Sequence, residues 1–115
     1  MENNLIERIV ASITDKKGND IAVIDLQQFD HTIADYFVIA DATTNIQVKA
    51  IAQHIERQVS KALKMRPLGV EGEENAEWIL LDYGDVIVHV FQRPVREYYD
   101  IEGLWADAPI QKIEQ

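Results

Sequence analysis

One long amphipathic segment constrains the fold of this chain more than any other feature. Between residues 44 and 64, the apolar side chains fall within about 120° of a helical wheel, and polar side chains occupy the opposite side. Thr44 and Gln47 form a capping box at the start of this helix, and Pro67 ends it. Because a helix with a single apolar face has to bury that face, the rest of the chain must supply a second layer.

Short apolar runs along the chain predict that this second layer is a β-sheet. Continuous apolar runs are typical of strands that are covered on both faces, and Asp82-Tyr83-Gly84-Asp85 predicts a hairpin turn between two of them. The predicted strands are residues 21–24, 36–40, 68–70, 78–81 and 86–91. With further helices predicted at residues 4–16 and 94–99, we expect an α/β fold in which a mixed five-stranded sheet is flanked by helices.

The length of 115 residues suits a single domain, which we expect to span residues 1–115. Its ordered core is predicted at about residues 4–106, followed by a short polar tail at residues 107–115. The chain has no cysteine, which excludes disulfide scaffolds, cysteine-based metal sites and thiol nucleophiles. Because its apolar runs are too short to span a membrane and no signal peptide is recognisable, we predict a cytoplasmic protein with no membrane partner.

Acidic residues outnumber basic residues by 20 to 11, and they are concentrated in the second half of the chain. Residues 1–65 contain seven basic and nine acidic residues, whereas residues 66–115 contain four basic and eleven acidic residues. Such a surface repels nucleic acid phosphate and attracts basic partners, so we expect protein contacts and no direct readout of nucleic acid. A surface that serves only solubility would have the same composition.

Asp82, Asp85 and His89 come closest to forming a catalytic or metal site. Two carboxylates and an imidazole near one hairpin could hold Mg²⁺ or perform acid–base chemistry. However, aspartate is common in hairpin turns because its carboxylate accepts hydrogen bonds from nearby backbone N–H groups. His89 lies in an apolar strand, where its ring would join a packed face. Since no serine outside the predicted helices and no glycine-rich phosphate-binding motif is present, we predict no catalytic residue, no metal and no cofactor.

Two groups of aromatic residues lie towards the end of the sequence. Trp78 and Tyr83 belong to the acidic hairpin. The second group consists of Tyr98, Tyr99, Leu104 and Trp105. Aromatic rings beside charges are typical of protein interfaces, although they can equally cover an open face of a sheet. We expect the second group to form a homodimer contact or a secondary interface, because an exposed apolar cluster usually marks one.

Two long motifs in this part of the chain are specific enough to suggest a family. The first is Trp78-Ile-Leu-Leu-Asp-Tyr-Gly-Asp-Val-Ile-Val-His-Val-Phe91, and the second is Arg96-Glu-Tyr-Tyr-Asp-Ile-Glu-Gly-Leu-Trp105. With Asp35-Tyr36-Phe37-Val38-Ile39 and the helix containing Ala50-Ile51-Ala52, they closely resemble the ribosomal silencing factor family, also called the Iojap family. The resemblance covers about residues 4–106.

This resemblance implies a fold like that of the nucleotidyltransferases and a homodimer. It also implies binding to the large ribosomal subunit through the universal ribosomal protein L fourteen, which blocks joining of the small subunit and represses translation under nutrient limitation. On this chain, the implied contact residues are Trp78, Leu80, Asp82, Tyr83 and Asp85.

The chain departs from active nucleotidyltransferases at one helix start. Those enzymes carry a Gly-Ser pair there, whereas this chain reads Ala42-Thr43-Thr44-Asn45, so we predict that it is not an enzyme. Two alternatives stay open. One is a metal-dependent nucleotidyltransferase-like enzyme that uses Asp82, Asp85 and His89, and the other is a dimeric adaptor for a different basic partner.

Overall fold

The computed structural model of the chain describes residues 3–30 and 32–114. The helices of this part are α1 (Asn3–Asp15), α2 (Asn45–Leu63), α3 (Arg93–Tyr99) and α4 (Ile101–Leu104). The strands are β1 (Asn19–Asp25), β2 (Tyr36–Ala42), β3 (Gly69–Glu71), β4 (Trp78–Asp82), β5 (Val86–Gln92) and β6 (Ile110–Lys112). None of the helices in these ranges is long and apolar enough to cross a membrane.

The strands form one mixed sheet in the order β3-β4-β5-β2-β1-β6. β2 and β5 are parallel, and the other neighbouring strands are antiparallel. From β2 the chain passes through α2, β3 and β4 before it forms β5, so the long helix is part of the connection between the two parallel strands. The predicted α/β class with a mixed sheet flanked by helices is confirmed.

The predicted number of five strands is wrong, because β6 adds a sixth at one edge of the sheet. β6 pairs with β1 in antiparallel orientation, so that Ile110 lies opposite Ile24 and Lys112 lies opposite Ala22. Residues 110–112 therefore belong to the sheet and not to a polar tail. An edge strand this short is paired on one side only, so it needs no apolar run by which its sequence could be recognised.

α1 and α2 cover one face of the sheet, which we call the first face. α2 begins as predicted, because the Thr44 hydroxyl accepts a hydrogen bond from the backbone N–H of Gln47 at 3.1 Å. The buried residues of this helix are Val48, Ile51, Ala52, Ile55 and Val59. Together with α1 and the strand side chains that point towards them, they form the larger of the two cores.

α3 and α4 cover only part of the opposite face, which we call the second face. The Arg96 guanidinium fixes α3 there, since it contacts the Asp41 carboxylate of β2 at 2.8 Å and the Glu102 carboxylate of α4 at 2.6 Å. α3 packs against β5 and β2. On β4, Trp78 and Leu80 point to this face and stay half-buried. The second face therefore has a less protected region near the β3–β4 edge.

Candidate protein-interaction surface

The turn between β4 and β5 uses its first aspartate in the way that the sequence predicts. The Asp82 carboxylate accepts a hydrogen bond from the backbone N–H of Gly84 at 2.8 Å. Gly84 has a φ of 88°, a backbone conformation that glycine adopts without strain. Asp85 is exposed. Within residues 3–30 and 32–114, no three histidine, aspartate or glutamate side chains are grouped so that they could hold a metal ion, and this includes the set considered above.

The hairpin distributes its predicted contact residues over both sides of the sheet. Trp78 and Leu80 point to the second face, because side chains on one strand alternate. Tyr83 instead belongs to the core on the first face, where only 6% of its surface is exposed. Burial raises the pKa of Tyr83, and the nearby Glu56 carboxylate raises it further, to about 12. Tyr83 and Trp78 therefore do not lie on one face of the sheet as a pair of anchors, and a partner contact of Tyr83 stays a prediction.

The indole ring of Trp78 is held from several sides. Its Nε1–H donates a hydrogen bond to Nδ1 of His89 at 3.1 Å. Its ring centroid lies 4.8 Å from that of Phe91 and 5.0 Å from that of Tyr99. Aromatic pairs at these separations are favourable beyond the area that they bury. The half-buried indole therefore has a defined orientation before any partner arrives.

His89 is a packed residue of the second face, as the apolar strand predicted. Only 4% of it is exposed, and its ring packs against Phe37 with a centroid distance of 4.7 Å. Burial lowers the pKa of His89 to about 4, so the imidazole is neutral at pH 7. Because Nδ1 accepts the bond from Trp78, we assign the single ring proton to Nε2. His89 thus supports Trp78 as a neutral hydrogen-bond acceptor.

The second aromatic group is divided between the surface and the core. Tyr98 and Leu104 are 81% and 76% exposed, and Tyr99 is exposed on one side. Trp105 is half-buried, and its ring lies 5.5 Å from that of Phe29. The four predicted residues therefore do not form a single exposed cluster.

Tyr99 joins this second group to the hairpin. Its ring packs against those of Tyr98 and Trp78, with centroid distances of 5.0 Å in both cases. The predicted partner surface and the predicted dimer surface are thus contiguous, which the sequence did not reveal.

Acidic groups surround the half-buried apolar residues of β4. Glu71 of β3 lies directly opposite Leu80, and side chains paired in this way share a face of the sheet. Asp82 follows two positions after Leu80 on the same face. We call Trp78, Leu80, Asp82, Glu71 and Tyr99 the β4 surface. It combines a held indole and an aliphatic side chain with carboxylates, a composition that suits a basic protein partner.

Sequence reasoning named His89 and Tyr99 but did not place them against the indole of Trp78. It also missed Leu68, which is 79% exposed immediately before β3. The strand register, in which Trp78 lies opposite Phe91 and Leu80 opposite His89, is the feature that would have identified His89. For Leu68, the sequence offered one indication of exposure, which is an isolated leucine directly after Pro67.

Comparison with known proteins gives one consistent result over almost the whole chain. The family model described as "Ribosomal silencing factor during starvation" matches residues 1–115. The chain is 35% identical to the ribosomal silencing factor RsfS of Bacillus subtilis, and the match covers 98% of this chain and 94% of that protein. It is 36% identical to the protein of the same name from Haemophilus influenzae, and the match covers 89% and 98% of the two chains.

Solved structures agree with these sequence relatives. A protein from Chromobacterium violaceum superposes with a TM-score of 0.86 at 36% identity, and the match covers 92% of this chain and 88% of that one. A protein from Bacillus halodurans gives a TM-score of 0.79 at 31% identity, with coverages of 99% and 100%.

Among the sequence relatives is also a protein called Iojap, chloroplastic, from Arabidopsis thaliana. It is 30% identical to this chain, and the match covers 83% of this chain and 39% of that protein.

Proposed function

The chain belongs to the ribosomal silencing factor family, and on this premise we propose that its β4 surface binds the large ribosomal subunit through ribosomal protein L fourteen. Bound there, it blocks joining of the small subunit and represses translation when nutrients are limiting. Its relatives are named as silencing factors, which are regulatory proteins and not enzymes. We place the action in the cytoplasm, where ribosomal subunits join.

The single observation that supports this proposal best is the orientation of Trp78. An aromatic side chain that is already held in place loses little conformational freedom on binding, so more of its contact energy appears as affinity. The indole is fixed by His89, Phe91 and Tyr99, and Trp78 as a whole is only partly buried. Aromatic anchors of this kind dominate the energetics of protein interfaces.

The charges of the β4 surface favour a basic partner. Glu71 and Asp82 flank Leu80, and the exposed Asp85 follows in the turn. Ribosomal proteins are usually basic, so these carboxylates would meet lysine or arginine side chains and speed up association. A body with extents of 34, 34 and 27 Å, seated on the joining face of the subunit, would exclude the small subunit by its volume.

The enzyme alternative has less support from the same region. At the helix start where nucleotidyltransferases carry their Gly-Ser pair, the Thr44 hydroxyl is occupied in capping α2. Asp41, the buried carboxylate just before it, contacts the guanidinium groups of Arg93 at 3.0 Å and Arg96 at 2.8 Å. The groups at this helix start are thus engaged in holding the fold together. The likeness to nucleotidyltransferases stays a prediction.

We also propose a homodimer that uses the exposed Tyr98 and Leu104. Because Tyr98 contacts Tyr99, which in turn contacts Trp78, a dimer formed here would crowd the β4 surface. Light scattering at micromolar concentration should give the mass of two chains for the wild type and a lower mass for Leu104→Glu. A wild-type mass of one chain would contradict the dimer.

The experiment that tests the main proposal is co-sedimentation with separated ribosomal subunits. The protein should sediment with the large subunit and not with the small one. When it is added in excess before mixing, the two subunits should fail to join in a light-scattering assay. Binding to the small subunit alone, or to neither subunit, would refute the proposal.

A further inference from the structure

A groove with several unpaired positive charges lies beside the second half of α2. Its basic residues are Arg57 and Lys61 on the helix and Arg66 after it, and Ser60 adds a hydroxyl group. The groove has a volume of about 580 Å³ and an apolar floor that includes Pro67. It opens on the first-face side of β3. We call it the cationic groove, and nothing proposed above makes use of it.

The cationic groove is unusual for a protein with this composition. Residues 44–66 contain five basic residues and one acidic residue, whereas the rest of the chain contains six basic and nineteen acidic residues. Arg57, Lys61 and Arg66 are exposed, and none of them forms an ion pair with a described side chain. The chain therefore keeps a separate positive region on a molecule that is otherwise strongly negative.

The helix dipole explains only part of this pattern. Positive charges in the last turn of a helix are stabilising, and Lys61 of α2 lies there. Arg57 lies further back along the helix, and Arg66 follows its end, so the dipole gives neither of them a reason to be basic. Glu56 also lines the groove, but among the described residues it forms no ion pair with these cations. Burial raises the pKa of Glu56, and the Glu73 carboxylate raises it further.

The spacing of the cations suits a ligand with repeated negative charges. Arg57 and Lys61 lie four residues apart on α2, so their side chains are neighbours on one face of the helix, and Arg66 adds a third cation just after the helix ends. A nucleic acid strand presents phosphates at regular intervals and binds such stripes without sequence readout. The nearby hydroxyl of Ser60 can donate to a phosphate oxygen.

We propose that the cationic groove binds the phosphate backbone of RNA on the large ribosomal subunit, next to the basic protein that the β4 surface contacts. This inference rests on the function proposed above. The two surfaces meet at β3, where Val70 lines the groove and the adjacent Glu71 belongs to the β4 surface. A subunit surface made of RNA and a basic protein can contact both at once, because their charges are opposite.

The test compares two triple variants that remove the same amount of charge. The groove variant is Arg57→Gln, Lys61→Gln and Arg66→Gln. The control variant is Arg8→Gln, Lys16→Gln and Lys17→Gln, which alters three exposed cations outside residues 44–66. Affinity for purified large subunits is measured as a function of salt concentration, and circular dichroism checks that both variants fold.

The groove variant should show a weaker dependence of affinity on salt than the control. Each phosphate contact contributes roughly 0.7–0.9 to the steepness of the negative slope of log affinity against log salt. Loss of all three contacts should therefore make this slope shallower by about 2–3. Both variants should bind isolated ribosomal protein L fourteen as tightly as the wild type does.

Three results would overturn the groove proposal, and each is distinct from a failure of the main proposal. Equal slopes for the two variants, while the wild type still binds large subunits, would remove the RNA contact and leave subunit binding intact. Loss of binding to the isolated ribosomal protein by the groove variant would assign the groove to a protein contact. A lower mass of the groove variant in light scattering would assign it to a contact between copies of this chain.

Discussion

On the first face of the sheet, α1 and α2 enclose the side chains that they cross, whereas on the second face α3 stops short of β4. Ile79 and Leu80 show the consequence, since they are neighbours in the chain but point to opposite faces. Ile79 is fully buried, and Leu80 is half-buried at the β3–β4 edge. The same strand therefore buries one set of residues in the first-face core and leaves the other set partly exposed on the second face.

The same contrast separates the two aromatic residues of the hairpin. Tyr83 lies among core side chains on the first face, and Trp78 lies partly buried on the second face. Both are aromatic and both are close to acidic groups, so composition treats them alike. Coverage by helices, and not residue type, decides which of them a partner can reach.

The largest expected effect is the loss of stability when Ile79, the buried neighbour of Leu80, is truncated. Ile79→Ala should lower the free energy of unfolding by about 2–5 kcal/mol, because it leaves a cavity in the first-face core. Leu80→Ala should cost only about 1 kcal/mol, because its side chain is half exposed already. Urea unfolding of both variants checks this. Equal losses would mean that the two faces are equally covered.

Acid should destabilise the protein through His89. The pKa of His89 is lowered from 6.5 to about 4 by burial, so between these values the unfolded chain binds a proton that the folded chain does not. Stability from this group is complete above about pH 6.5 and falls as the pH drops towards 4, by about 3 kcal/mol in total.

His89→Phe separates this contribution from that of other titrating groups. The difference in unfolding free energy between wild type and variant should shrink or change sign as the pH falls from 7 to 4. A difference that is constant over this range would show that His89 titrates in the same way in the folded and unfolded chains.

Removing the Tyr83 hydroxyl should have a small and favourable effect. This oxygen is buried and has no hydrogen-bond partner among the described residues, so the hydroxyl carries a desolvation cost. Tyr83→Phe should raise the free energy of unfolding by about 1 kcal/mol and leave large-subunit affinity unchanged. Reduced affinity without a loss of stability would make Tyr83 a contact residue after all.

The smallest expected effect comes from the carboxylates of the hairpin. Asp82→Asn combined with Asp85→Asn keeps an oxygen that can accept the turn hydrogen bond from Gly84, so the fold should not change. Association with the large subunit should slow down a few-fold, and its rate should depend less on salt. Glu7→Gln combined with Glu114→Gln removes the same charge elsewhere and serves as the control. Identical association rates for the two double variants would show that the hairpin carboxylates do not face the partner.

The sequence predicted those features that local chemistry decides. The start of α2 follows from the cap at Thr44 and from the apolar stripe of the helix. The turn at Asp82 follows from residues that are close together in the chain. The two motifs at residues 78–91 and 96–105 suggested a family resemblance, which the comparisons confirm.

The remaining features depend on contacts between distant parts of the chain. The run from Trp78 to Leu81 is apolar throughout, so it contains no alternation that would tell which side chains face α2. Ile110–Lys112 becomes a strand only because β1 leaves an edge to which it can pair. The contact between Trp78 and Tyr99 requires α3 to fold back over the second face, which no local pattern indicates.

The most direct test of the β4 surface is the affinity of Trp78→Ala for purified large subunits, with Trp105→Ala as its matched control. Both tryptophans are half-buried on the second face and both pack against other rings, so both variants should lose similar stability. Only Trp78→Ala should lose affinity, by about thirty-fold or more, since truncating an anchoring aromatic costs about 2 kcal/mol or more. A folded Trp78→Ala variant that binds the large subunit as tightly as Trp105→Ala does would contradict the account.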